Sequence, residues 1–481
     1  MRLLDSPRAR SMVFVPPSIQ LEDLLAATGG QLIGTTTVSS FSTAAVDSRR
    51  ITPGSCFVAL RGERVDGHRF AADAVRAGAT VLLVARPVEL PADAATAVVR
   101  VPDPLRALQD VAAWWRSRST VRVVGITGST GKTIAKEITA DLLARTLNVL
   151  RNEGNLNSES GLPMTLLRLE PAHEVAVLEM SMYVEGEIAR LAEIARPEVG
   201  VVLAVHPTHL QRAGSIEAIA RAKAELPAAL PSDGLAVLNA DDPRVLAMRE
   251  LTRAQVRTFG LAMTADVRAD QIVSHGVAGT EFTVRSGRGI RRLRSAAPGR
   301  HLVPHALAAI AVAERFDVPG DEVAAGLAAG SSAAHRMQLA EAASGATVVD
   351  DTYNASPVSM SAALDFLAET PVPVGRRRLA VLGDMLELGP DEEQLHREIG
   401  AKAAGIVDGL LAVGRRGRWI GDAARAAGLR RVGEAADADE AGVLIDRDLA
   451  PGPGDLLLVK GSRGVELDRV VDSLIGAGVP R

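Results

Sequence analysis

Val121-Arg-Val-Val-Gly-Ile-Thr-Gly-Ser-Thr-Gly-Lys-Thr133 joins an apolar run to a glycine-rich turn and the start of a helix. Its first half, Val121–Ile126, is a short apolar run of the kind that forms a strand buried on both faces. A glycine-rich turn follows, and Ile134–Thr146 carries helical periodicity. Strand, glycine turn and helix in that order let backbone N–H groups converge at a helix N-terminus, where phosphate oxygens are favoured. The strict phosphate-loop pattern G-x-x-x-x-G-K-[ST] is not met, because Ile126 stands at the first glycine position. What remains is a variant made of Thr127, Gly128, Ser129, Thr130, Gly131, Lys132 and Thr133. In such a loop Lys132 reaches the β- and γ-phosphates and the Thr133 hydroxyl helps to hold Mg²⁺.

Outward from this loop, short apolar runs at Val175–Leu178, Val199–Val205 and Leu235–Leu238 alternate with helices such as Ile216–Leu230. That alternation predicts an α/β fold with a mainly parallel sheet. A further unit begins near His335, with strands at Ala346–Val349, Leu379–Leu382, Gly409–Val413 and Leu456–Val459. Before the loop, a helix over 18–34, a helix over Phe70–Ala77 and several β-branched runs read as a small α/β unit. A helix over Pro104–Arg116, bearing Trp114 and Trp115, is expected to dock that unit onto its neighbour. The expected division is therefore 1–104, 105–334 and 335–481, in keeping with a length of 481 residues.

Composition narrows the function. A formal charge of −4 gives no basic field for nucleic acid or anionic membrane. A single cysteine, Cys56, excludes an internal disulfide framework and suits a reducing cytoplasm. No apolar run approaches the roughly 18–20 residues that span a bilayer. The segment before Val13 lacks the apolar stretch of a signal peptide and reads as a tail or an early start, with Met12 as an alternative first residue. Only five of the 54 basic residues are lysines: Lys132, Lys136, Lys223, Lys402 and Lys460. In a chain that uses arginine so heavily, the lysines mark positions where a compact or modifiable amine is needed.

Strand ends carry the remaining candidates. Glu179 closes the run Val175–Leu178, on the edge where parallel sheets bind ligands, and is a plausible Mg²⁺ ligand. His209 follows Val199–Val205. Lys223 lies on a helix beside Arg221, which is what this sequence normally places on solvated faces. Val348-Val-Asp-Asp-Thr-Tyr-Asn-Ala-Ser-Pro357 sets an acidic pair at a strand end, and Lys460-Gly-Ser-Arg-Gly464 does the same with basic groups.

Together these segments resemble the Mur ligases, and within them the MurF type, which adds D-alanyl-D-alanine to UDP-N-acetylmuramoyl-tripeptide. The resemblance covers almost the whole chain. It rests on Asp47-Ser-Arg49, Phe57-Val-Ala-Leu60 and Asp66-Gly-His68, then Thr127–Thr133, Gly154-Asn155, Asn157, Gly161-Leu-Pro163, Glu179-Met180, His209-Leu210 and Ala222-Lys-Ala-Glu225. It continues in Arg336-Met337, Asp350–Pro357, Leu382-Gly-Asp-Met-Leu-Glu-Leu-Gly389 and Val459-Lys-Gly-Ser-Arg463.

The resemblance implies a three-domain architecture: a UDP-sugar-binding module, a central phosphate-loop ATPase domain with a parallel sheet, and a C-terminal Rossmann-like domain. It implies ATP and Mg²⁺, an acyl-phosphate intermediate, a cytoplasmic monomer, and no nucleic acid or membrane partner. It assigns Lys132, Glu179, His209 and Lys223 to catalysis. Thr133, Glu179, His209 and a carbamylated Lys223 are assigned to metal, and Arg336 and Asp351 to nucleotide along with the loop. Ser48, Arg49, Asn155, Asn157, Asn354, Lys460 and Arg463 are assigned to the UDP-sugar peptide and the dipeptide.

The sequence departs from the family pattern in places. Ile134 replaces a second threonine after the loop lysine, Ser158 replaces an asparagine, and side-chain amides are lost at Ala204, Leu302 and His305. Two alternatives follow: a Mur-fold ligase for another carboxylate and amine, or a degraded paralogue that binds a UDP-sugar peptide without turnover.

Overall fold

The computed structural model describes residues 18–62, 65–92, 94–207, 212, 214–330 and 333–476. They fall into two compact units, one combining the chain up to Val121 with Asn152–Glu174, the other combining Arg122–Arg151 with everything from Val175 onward.

The first unit is built on a five-stranded sheet in the order Gln31–Ile33, Ala97–Arg100, Val81–Val84, Cys56–Val58, Ala44–Ala45. All its pairings are parallel except that of Gln31–Ile33. Phe57, Leu82 and Val84 fill the core beside it. The helix expected over 18–34 is shorter. It runs Leu21–Thr28, ends on left-handed Gly29 (φ 62°), and is flanked by the strands Ile19–Gln20 and Gln31–Ile33. Gly29 explains the stop, since a left-handed residue ends the helix and glycine takes that conformation without strain. Helix Pro104–Ser117 starts on an Asp103 cap with Pro104 in its first turn. Its Gln109 and Trp115 side chains donate to the carbonyls of Glu159 and Leu169, which fastens the 152–174 segment to this unit.

The second unit holds two sheets. The larger has nine strands in the order Gly289–Ser295, Thr280–Ser286, Val267–Ser274, Gln255–Gly260, Leu235–Asn239, Val199–Val202, Arg122–Thr127, Val175–Glu179, Val149–Arg151. The seven from Val267–Ser274 onward are parallel to one another, and the first two are antiparallel additions. The sequence reading had no strand there. In Gly289–Ser295 only Leu293 and Ser295 are buried, so an arginine-rich edge strand carries almost no apolar alternation to detect. Val199–Val205 is also shorter as a strand than expected, ending at Val202.

The six-stranded sheet runs Gln338–Glu341, Thr347–Asp351, Leu456–Lys460, Arg378–Gly383, Gly409–Val413, Val432–Ala435, parallel apart from its first strand. Its inner strands Arg378–Gly383, Gly409–Val413 and Leu456–Lys460 are buried almost throughout, as expected for a sheet covered by helices on both faces.

One pairing positions the site. Gly125 and Gly200 are direct neighbours in adjacent strands. A Cβ on Gly125 would meet Leu226 at 3.0 Å, and one on Gly200 would meet Leu226 at 3.1 Å and Leu230 at 3.1 Å. Two adjacent glycines thus open a groove in the sheet face into which helix Ile216–Ala228 sinks. The same close approach buries Lys223, three residues before Leu226, to 3% exposure.

Candidate nucleotide and metal site

The phosphate loop lies between the strand Arg122–Thr127 and the helix Lys132–Leu143. The strand lies inside the sheet, so its C-terminal end is flanked by those of Val175–Glu179 and Val199–Val202. Parallel pairing aligns these ends, and this is where open α/β sheets take ligands.

The loop is braced on several sides. Ser129 N–H donates to the Ala204 carbonyl at 2.8 Å, its hydroxyl donates to the His206 carbonyl at 3.0 Å, and the His206 N–H donates back to the hydroxyl at 2.9 Å. Gly131 precedes the helix with φ 77°, and a Cβ there would lie 1.8 Å from His305 Nε2. Glycine is therefore required twice over, by conformation and by the imidazole packed against it. Burial, with His301 nearby, pushes the His305 imidazole down to about 4, so it is neutral near pH 7 and adds no charge to the loop. The Thr127 hydroxyl is buried without a hydrogen-bond partner.

Four charged or polar side chains converge behind the loop. Lys132 Nζ donates to the Gly128 carbonyl at 2.8 Å, folding the ammonium over the turn. The Thr133 hydroxyl donates to Glu179 Oε2 at 2.6 Å, and Arg336 Nη2 donates to the Thr133 oxygen at 2.7 Å. Thr133 and Glu179 are buried, at 7% and 2% exposure. Burial lowers the Lys132 pKa, opposed by Glu179 and helped by Arg336. Burial depresses Lys223 much further, with Lys132 as the second cause. Burial thus favours the neutral form of the amine, a nucleophile that an arginine cannot supply.

Arg336 reaches this place from the second sheet's side of the unit. It sits between two left-handed residues, His335 (φ 57°) and Met337 (φ 52°). His335 Nδ1 is hydrogen-bonded to Asp350 Oδ2 at 2.7 Å, which ties the segment to the strand Thr347–Asp351. Asp351 at the end of that strand is paired with the buried Lys460 ammonium, which also donates to the Asn354 carbonyl at 3.0 Å. Burial raises the Asp351 pKa against the pull of Lys460. Lys460 is thus held within the C-terminal sheet, while Arg463 and Asn354 are exposed near it.

The structure therefore brings Thr127–Thr133, Glu179, Lys223 and Arg336 together, with Asp351 and Lys460 at adjacent strand ends of the six-stranded sheet and Asn354 and Arg463 just beyond them. Ser48, Arg49, Asn155 and Asn157 belong to the first unit; there Asp47 caps the turn Ser48–Arg50 and pairs with the exposed Arg49 at 2.7 Å. His209 lies outside the described residues. Two neighbours of the loop escaped the sequence reading as site residues. One is His305 against Gly131. The other is Tyr353, whose ring lies under the Arg336 guanidinium at 3.9 Å. The signal for Tyr353 was its rarity, since the chain has only two tyrosines.

No group of three or more His, Cys, Asp or Glu side chains forms a ready metal cage among the described residues. The donor set here is instead a hydroxyl and a carboxylate 2.6 Å apart, which suits a hard cation that keeps waters and shares phosphate oxygens.

Comparison with known proteins identifies the family. Residues 126–313 match the Mur ligase middle domain, residues 335–463 the Mur ligase glutamate ligase domain, and residues 41–116 the Mur ligase family catalytic domain. The UDP-N-acetylmuramoyl-tripeptide–D-alanyl-D-alanine ligase of Escherichia coli K12 is 38% identical, over 95% of this chain and 98% of its own. A MurF crystal structure from Acinetobacter baumannii superposes with a TM-score of 0.84 at 30% identity, covering 96% of this chain and all of that one. MurF from Thermotoga maritima, solved in complex with ADP, gives 0.75 at 27% identity over 90% of this chain and 97% of its own. The chain belongs to the Mur ligase family, as a member of its MurF type.

Proposed function

We propose that this chain joins D-alanyl-D-alanine to UDP-N-acetylmuramoyl-tripeptide at the expense of ATP, releasing ADP and phosphate, in peptidoglycan precursor synthesis. The observation that carries the reading is the Arg336–Thr133–Glu179 chain of hydrogen bonds beside Lys132 and Lys223. It occurs in a chain whose full-length relatives bear that activity as their name.

The tripeptide carboxylate takes the γ-phosphoryl group of ATP, giving an acyl phosphate and ADP. The dipeptide amine then attacks the acyl carbon, and the tetrahedral intermediate expels phosphate. Lys132 and the helix N-terminus at Gly131 offset charge on the transferring phosphoryl oxygens. Arg336 adds a second cation on the far side of Thr133. Mg²⁺ would be held by Thr133 and Glu179, with His209 a further ligand, and would neutralise phosphate charge. The neutral form of the Lys223 amine, which burial favours, can add CO₂ and lose a proton to become a carbamate. That conversion turns a buried amine into a carboxylate-like ligand for a second cation.

Ser48, Arg49, Asn155 and Asn157 are assigned to the UDP-sugar peptide, and Asn354, Lys460 and Arg463 to the dipeptide. Lys460 acts in this reading through Asp351 and the Asn354 loop, with Arg463 the nearer cation for the dipeptide carboxylate. No described helix is long and apolar enough to cross a membrane. A cytoplasmic monomer fits the single buried cysteine and the nucleotide substrate.

The test is phosphate release from ATP and Mg²⁺ with each substrate added and withheld. Release that requires both the UDP-muramoyl-tripeptide and the dipeptide supports the assignment. Release indifferent to the dipeptide indicates another Mur-fold ligase, and binding of the UDP-sugar peptide without any release indicates a degraded paralogue.

A further inference from the structure

Arg336 is placed well but held thinly. One of its terminal nitrogens donates to Thr133, while its buried Nε has no hydrogen-bond partner. A buried N–H without a partner costs free energy that other contacts must offset, and the charge of Asp351 attracts the guanidinium without orienting it. The ring of Tyr353 supplies a face, with the Arg336 Cζ 3.9 Å from its centroid. That distance is well inside the range of cation–π attraction, and partial burial of both groups strengthens it over a fully exposed pair.

The two side chains come from segments that are cross-tied. Tyr353 N–H donates to the His335 carbonyl at 3.2 Å. Asp350 accepts from Thr352 through one oxygen and from the His335 imidazole through the other. The backbone segments that carry ring and guanidinium are therefore tied to each other, with left-handed residues on either side of Arg336, while the guanidinium itself is left to its side-chain contacts. A second arginine, Arg463, has its Cζ 5.6 Å from the same ring. That is close to the outer limit of about 6 Å for such a contact, and Arg463 is exposed, so its share is small.

We propose that Tyr353 is the positioning residue for Arg336: its ring face clamps the guanidinium onto Thr133 and so sets the cationic charge at the phosphate end of the nucleotide site. This rests on the nucleotide role given to Arg336 above. The ring, not the hydroxyl, does the positioning, and the nucleotide end is served far more than the Arg463 end.

The full-length chain is titrated with Mg-ADP by calorimetry, and steady-state KM values are measured for ATP and for D-alanyl-D-alanine. Y353L, which keeps bulk but removes the ring face, weakens ADP binding and raises the KM for ATP by about tenfold. It leaves the KM for the dipeptide within about twofold and the thermal midpoint unchanged, whereas Y353F restores both nucleotide values. In an R336M background Y353L has no further effect, because the two residues act as one unit. The proposal is overturned if Y353F is as damaging as Y353L, if the loss persists in R336M, or if it falls on the dipeptide KM. ADP titration needs no turnover, so a chain that binds ADP but ignores the dipeptide in phosphate release overturns the ligase reading and leaves this one standing.

Discussion

Lys223 shows how one residue's chemistry follows from packing several steps away. Gly125 and Gly200 let Leu226 sink into the sheet, and the helix carries Lys223 down with it. Burial and Lys132 then hold its amine well below the ordinary lysine range. Because its folded pKa lies below its unfolded value, the unfolded chain binds more protons at every pH between the two. Stability must therefore rise with pH through that window, and the penalty disappears above about 10.5, the unfolded value. Lys223→Met is accordingly expected to unfold at a higher temperature than the parent at pH 7, with the gap closing toward pH 10.5, while losing ligase activity. Thermal melts across pH check this; a variant less stable at pH 7 contradicts it. Lys223→Arg, which cannot form a carbamate, is expected to lose at least a hundredfold in kcat. Glu179→Gln keeps the shape of the Thr133 contact but removes the charge. It is expected to raise the Mg²⁺ requirement and lower kcat by about 10²–10³-fold, read from phosphate release against Mg²⁺ concentration.

At the scale of elements, the turn between strand and helix is the most constrained part of the site. Gly131→Ala is doubly penalised, by a left-handed backbone and by His305 at 1.8 Å from the new methyl group. Its ADP affinity is expected to fall more than tenfold. Adding His305→Ala should restore part of the loss, since it removes the clash and leaves only backbone strain of about 1–3 kcal/mol. Calorimetric titration of the single and double variants measures the split, and a double variant no better than G131A would contradict the packing account. Gly200→Val tests the groove: extra methyls against Leu226 and Leu230 are expected to destabilise by about 1–3 kcal/mol and to lower kcat by displacing Lys223.

Across the whole molecule, what the sequence disclosed depended on how local the signal was. The strand, turn and helix around Thr127–Thr133 were legible because apolar run, glycines and helix period lie consecutively. The buried strands of the second sheet were legible for the same reason, and Gly409–Val413 coincides with its expected limits. Less legible were features set by partners far along the chain. The edge strand Gly289–Ser295 takes its place from pairing with Thr280–Ser286 and shows arginine where a pattern would show apolar residues. The segment 152–174 packs with the N-terminal unit through Gln109 and Trp115, contacts that no local pattern reveals. In the site, the scarcity of lysine drew attention to Lys132, Lys223 and Lys460. It could not say that Lys460 would be engaged by Asp351, or that Arg336 would rest on Tyr353.

ATP-dependent amide formation on a specific pair of substrates is assigned to the cluster of Lys132, Thr133, Glu179, Lys223 and Arg336. The most direct measurement is phosphate release by the full-length chain with ATP and Mg²⁺, UDP-N-acetylmuramoyl-tripeptide and D-alanyl-D-alanine, omitting each in turn. The predicted result is one phosphate released per amide bond formed and release that falls to background when the dipeptide is withheld. Sustained release without the dipeptide, or none with every component present, would contradict it.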